Sequence, residues 1–132
     1  MMMNIGAAAE RSGVPAKTIR YYESVGLIGA AARAANGYRA YAEAEVQTLR
    51  FISRARGLGF SVRQVAELLA LYRDKGRRSA EVKALVDDHV GAIDRKMAAL
   101  KSLRATLVEL SHKCRGDNRP DCPILDDLAD NS

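Results

Sequence analysis

From Ser79 to about Ser111 the chain places apolar residues at Val82, Val86, Val90, Ile93, Met97, Leu100, Leu103, Leu107 and Leu110, in steps of three and four. Such spacing puts them on one face of a single long helix, close to a heptad seam. At about 1.5 Å per residue, roughly thirty residues reach on the order of 45 Å. The 78 residues that precede the helix cannot cover that length. The seam therefore calls for a partner, and an antiparallel second copy of the chain is the simplest one. Packing back onto its own domain is the alternative.

Charge divides the chain at the same place. Residues 1–78 hold thirteen Lys/Arg against six Asp/Glu, a balance of +7, and residues 79–132 hold eight against ten, a balance of −2. A basic first part joined to a mildly acidic second part suggests polyanion binding confined to the first. A solvated basic face accounts for charge alone equally well. The composition, 48% hydrophobic and 28% charged, is that of a folded chain rather than a disordered one. No apolar run approaches the roughly 18 residues that span a bilayer. Met1 to Ala9 is short, lacks a basic flank and does not read as a signal peptide, so a cytoplasmic protein is expected.

Ile5 to Glu23, IGAAAERSGVPAKTIRYYE, carries the spacing of a helix-turn-helix. Ala9 permits close helix crossing, and Gly13 can take the left-handed conformation that ends a helix. Val14 and Ile19 can fill the wedge between the helices. Pro15 suits the first position of the second helix, where its missing N–H costs nothing. That helix then presents Lys17, Thr18, Arg20 and Tyr21, residue types that reach phosphates and base edges. The alternative is an ordinary helical hairpin with a basic face. Asn36-Gly37 follows, the dipeptide that favours a tight β-hairpin. A basic hairpin in this position reads as a wing, with Arg33, Tyr38 and Arg39 beside the groove. Residues 43–56 form a further helix, Gly57 and Gly59 bracket a turn, and Ser61 to Gln64 is a capping box. Val65, Leu68, Leu69 and Tyr72 of the helix it opens point to a core, while Arg54 and Arg56 lie near the turn.

The only two cysteines, Cys114 and Cys122, sit in HKCRGDNRPDCPI. Gly116, Asp117, Asn118 and Pro120 indicate a turning loop, so both sulfurs can meet at one ion. Two soft thiolates without further thiol ligands suit a monovalent ion such as Cu(I), whereas structural zinc takes four ligands. A disulfide or two unrelated thiols is the alternative. No base–orienter pair, phosphate loop or carboxylate pair accompanies them, and an enzyme is not expected.

With NIGAAAERSGVPAKTIRYYESVGLI, NGYR, RARGLGFS and CRGDNRPDCPI in order, nearly the whole chain resembles the MerR family, within it the copper-responsive CueR/HmrR type. The resemblance implies a mainly α protein. A winged helix-turn-helix DNA-binding domain with a two-helix connector (1–76) would precede a long antiparallel coiled-coil dimerisation helix (77–112) and a C-terminal metal-binding loop and tail (113–132). It carries DNA-contact roles to Lys17, Arg20, Tyr21, Tyr22, Arg33, Tyr38, Arg39 and Arg56, and metal-ligand roles to Cys114 and Cys122. Ser79 stands where relatives that sense divalent ions usually have cysteine, which matches sensors of monovalent ions; a helix N-cap also explains it. Gly29 to Ala32 is poorer in proline and basic residues than in many relatives. The three-cysteine motif of the iron–sulfur branch is absent.

The implied function is a homodimer on double-stranded promoter DNA that responds to Cu(I), or to Ag(I) or Au(I). Acting through the promoter it shares with RNA polymerase, it would activate copper-efflux or detoxification genes by distorting the DNA. Alternatives are a divalent Zn/Cd sensor of the same family, a copper-buffering protein, and a DNA-binding protein without a ligand.

Overall fold

The computed structural model describes residues 2–29, 32–33 and 39–130. Helix α1 (Ile5–Ser12) opens on Asn4, whose side-chain oxygen accepts the Ala7 N–H at 2.8 Å. It closes on Gly13, at φ 77°, whose N–H reaches the Ala9 carbonyl at 2.9 Å. The expected small residue and the expected left-handed cap thus meet in one hydrogen bond. Helix α2 is Ala16–Ser24. Pro15 stands one residue before it rather than at its first position, because its ψ of 146° is extended although its φ of −57° is already helical. Replacing Gly13 tests this turn directly. A Cβ there would meet open space, so the cost of Gly13→Ala lies in the backbone conformation, about 1–2 kcal/mol. The thermal midpoint should fall by several degrees, and an unchanged midpoint in calorimetry would contradict the assignment.

Three short strands form one antiparallel sheet in the order β1-β3-β2. They are β1 (Met2–Met3), β2 (Ala32–Arg33) and β3 (Arg39–Ala42). Arg33 pairs with Arg39, and Met3 pairs with Tyr41. The sequence suggested the hairpin but not its third strand, since two methionines carry no alternation to read. The turn expected at Asn36-Gly37, together with Tyr38, lies outside the described residues.

Helices α3 (Glu43–Gly57) and α4 (Val62–Arg73) follow. Glu43 and Glu45 occupy the first turn of α3 and Arg54 and Arg56 its last, complementing the helix dipole. Gly59 takes φ 90° in the turn. Ser61 Oγ then accepts the Gln64 N–H while Gln64 Oε1 accepts the Ser61 N–H, which completes the capping box. Ile19, Tyr41, Val46, Leu49, Ile52 and Val65 are fully buried and form the centre of the core. Leu69 joins it, but Tyr72 is 56% exposed and stacks on Phe51 with ring centroids 5.0 Å apart. Arg50 donates from Nε and Nη2 to the Arg11 carbonyl at the end of α1, at 3.1 and 2.8 Å. Arg11 in turn pairs with Glu43 at 2.7 Å. These contacts fasten the helix-turn-helix to α3.

The chain forms two compact units, Met1–Val82 and Lys83–Ser132. The second contains most of α5 (Ser79–Lys113, 35 residues), the cysteine loop and α6 (Pro123–Asp130). The segment after Cys122 was expected to be a tail and is a helix instead. Pro123 opens it, a favoured residue at a first helical position, and Ile124, Leu125 and Leu128 give it an apolar side. On α5 the seam residues Met97, Leu100, Leu103 and Leu107 are each more than 60% exposed, while Leu110 is buried. The exposed pairs Lys83–Asp87 and Glu109–Lys113 contribute only about 0.3–0.5 kcal/mol each. Covering a leucine contributes about 1.5–3 kcal/mol, so the seam dominates the energetics of this helix.

Candidate DNA interface and metal loop

Helix α2 divides its nine residues between two tasks. Ile19 and Tyr22 are buried in the core. Lys17, Arg20, Tyr21 and Ser24 are exposed, at the i, i+3, i+4 and i+7 spacing of a single stripe. Thr18 is half-buried at the stripe's edge. Tyr21 keeps 51% of its surface accessible, with its ring 6.0 Å from that of Tyr22. Tyr22 departs from its expected role as a DNA contact. Only 7% of it is exposed, and it belongs to the core cluster, so its ring serves packing. Val14, at 3% exposure, fills the wedge beside Ile19 as expected.

The hairpin brings the Arg33 and Arg39 positions opposite each other across β2 and β3. A further contact went unread in the sequence. The Tyr41 hydroxyl donates to Glu23 Oε1 and joins strand β3 to the end of α2. Nothing in a tyrosine and a glutamate 18 residues apart signals that pairing. At the α3–α4 turn Arg54 and Arg56 are exposed. Arg56 Nη1 also donates to the Phe60 carbonyl at 2.7 Å, so this arginine braces the turn as well as facing solvent. Ser79 is exposed and is the first residue of α5, one position inside the helix rather than at its cap.

Cys114 and Cys122 are free and half-buried. Each is tied to a helix end: the Cys114 N–H donates to the Ser111 carbonyl at 3.2 Å, and the Cys122 carbonyl accepts the Asp126 N–H of α6 at 3.1 Å. Between them Gly116 takes φ 65°, and Asp117 Oδ1 accepts the Arg119 N–H at 2.9 Å. That bond is the Asx turn an aspartate in such a loop favours. Among the described residues no group of three or more His, Cys, Asp and Glu side chains converges. The sulfur donors in this loop are the two free thiols, Cys114 and Cys122.

A helix-turn-helix with a basic, aromatic stripe on its second helix and a β-hairpin at its side defines a DNA-binding regulator of the winged helix-turn-helix class. Residues 3–71 match the MerR HTH family regulatory protein family, and residues 46–110 match the family described as MerR, DNA binding. The HTH-type transcriptional regulator HmrR of Sinorhizobium medicae is 54% identical, with 96% of this chain and 86% of that protein aligned. The HTH-type transcriptional regulator CueR of Salmonella typhimurium is 39% identical over 96% of this chain and 92% of that one. Among solved structures, the transcription regulator PbrR691 from Ralstonia metallidurans, in complex with lead(II), superposes with a TM-score of 0.85. It is 33% identical, with 96% and 98% of the two chains covered. The chain belongs to the MerR family, on the branch of the HmrR and CueR regulators. It is a DNA-binding transcription regulator and not an enzyme. Among the described residues, no helix is long and apolar enough to cross a membrane.

Proposed function

We propose that the chain is a cytoplasmic, homodimeric regulator that senses Cu(I), and with it Ag(I) or Au(I), and activates copper-efflux or detoxification genes. The observation that carries this reading is the pair of free, half-buried thiols at the ends of two helices. Three segments divide the work: residues 1–76 hold promoter DNA, 77–112 dimerise, and 113–132 take the metal. Lys17, Thr18, Arg20 and Tyr21 face the major groove, Arg33, Tyr38 and Arg39 flank it from the wing, and Arg56 meets phosphate. A Cu(I) ion held by Cys114 and Cys122 supplies a link between the end of α5 and the start of α6. Two thiolates around a monovalent ion leave a charge of −1, and Cys122 precedes the N-terminus of α6, where backbone N–H groups favour negative charge. Heavy-metal dependence in a relative 52% identical to this chain, the Heavy metal-dependent transcription regulator 2 of Rhizobium meliloti, supports the same reading.

Activation is proposed to work through DNA shape. Both forms of the dimer bind the promoter, and the metal-bound conformation distorts it so that RNA polymerase can engage both promoter elements. The test is transcription in vitro from the promoter upstream of the chain's own gene, titrated with Cu(I), Ag(I), Au(I), Zn(II) and Cd(II). Only the monovalent ions should activate. A zinc or cadmium response would replace the reading with a divalent sensor, and metal-independent output would replace it with a DNA-binding protein that has no ligand.

A further inference from the structure

We propose that Glu23 and Tyr41 are positioning residues for DNA recognition, acting as a latch that sets the wing at a fixed distance from the recognition helix. Glu23 is the penultimate residue of α2, the helix that carries Lys17, Arg20 and Tyr21. Tyr41 lies in β3, two residues from Arg39, whose backbone pairs with Arg33. The tyrosine ring is fully buried, and its hydroxyl donates to Glu23 Oε1 in a partly buried environment. On its other edge the same strand pairs with β1, through Met3 and Tyr41.

Strand β3 also packs against α1 and α3 and pairs with β1, and the hydrogen bond to Glu23 is the contact that ties it to the end of the recognition helix. β2 is two residues long and β3 four, and a ribbon of that size is marginal without packing against a larger element. The Tyr41 ring anchors β3 in the core. A hydrogen bond to a carboxylate is directional and stronger than one between neutral groups. It therefore fixes the angle between β3 and the last turn of α2. Two groups that must touch the same duplex gain affinity from being held in advance at the right separation. The inference rests on the reading of α2 and the wing as the DNA-contacting elements.

The experiment uses the full chain and a duplex recovered by the wild-type protein from a randomised pool. Tyr41→Phe keeps the ring that fills the core and removes only the donor. Its operator affinity should fall roughly tenfold, the scale of one hydrogen bond to a charged group. Hydroxyl-radical protection should thin at the wing flanks and persist where α2 lies. Glu23→Gln retains an acceptor oxygen and should recover most of the affinity that Glu23→Ala loses. Wild-type affinity in Tyr41→Phe would overturn the proposal. So would protection weakened uniformly over the whole site, which would mark the bond as general stabilisation, or a glutamine variant no better than alanine. Arg20→Ala serves as the control. If it too binds like wild type, the recognition-helix reading has failed, whereas a loss there with none in Tyr41→Phe rejects the latch alone.

Discussion

Cys114→Ser and Cys122→Ser are each expected to abolish metal-activated transcription while leaving operator affinity within about twofold of wild type. With two sulfurs as the donor set, removing one leaves Cu(I) a single soft ligand and a hydroxyl it binds poorly. Losing only a hydrogen-bonding partner of a metal ligand already costs about 10–100-fold in affinity, and losing the ligand itself should exceed that. DNA contacts should survive because the cysteines lie in the second compact unit, whereas α2 and the hairpin lie in the first. The measurement is transcription against buffered Cu(I) and Zn(II) beside anisotropy titration of operator DNA. Ser79→Cys belongs in the same series. An added thiol at the start of α5 should extend the response toward Zn(II) or Cd(II) if that helix start borders the partner's loop in the dimer. Copper activation that persists in either serine variant would eliminate the two-thiolate site.

The second large effect concerns assembly. Leu100→Glu combined with Leu107→Glu should give a monomer that no longer binds operator. Both leucines are more than 60% exposed in the single chain, so a partner that covers them supplies most of their burial. Four such leucines per dimer, at about 1.5 kcal/mol each by the lower figure, amount to about 6 kcal/mol, or some four orders of magnitude in dissociation constant. Carboxylates in a seam add repulsion to that loss. The first compact unit has its own core and should keep its helical signal. Sedimentation velocity at micromolar concentration reads the outcome directly, and a variant that sediments as a full dimer would refute the seam as the interface.

Both predictions rest on features that can be read from the sequence, and the reason is local chemistry. Gly13 announces a left-handed cap because few other residues tolerate one. Ser61 and Gln64 announce a capping box because the reciprocal bonds span three residues. The α5 seam repeats over nine positions, more than chance alternation produces. Cys114 and Cys122 stand out because the chain has no other thiol. What escaped the sequence depends on contacts between distant segments, or on elements too short to show a period. β1 has two residues, and α6 has eight with only three large apolar ones. The latch joins residues 23 and 41 through a fold that must already exist. Tyr22 was misread for a related reason. Adjacent tyrosines look equivalent in a string, yet a rotation of about 100° per residue sends one outward and its neighbour into the core.

That division of α2 bears on how regulators of this kind can diverge. Its outward stripe comprises Lys17, Arg20, Tyr21 and Ser24, and the rest of the helix is wholly or partly committed to packing or to the turn before it. If this helix reads DNA as proposed, a descendant can vary these outward positions most freely, since a change at Ile19 or Tyr22 disturbs the core first. One good side-chain-to-base contact is worth about 1–3 kcal/mol of discrimination. Under the proposed DNA-contact role, a single substitution in the stripe would change sequence preference while leaving the buried side of the helix intact. Duplicated copies could then part company in target while sharing one scaffold, so sequence drift in this helix should concentrate on its outward side.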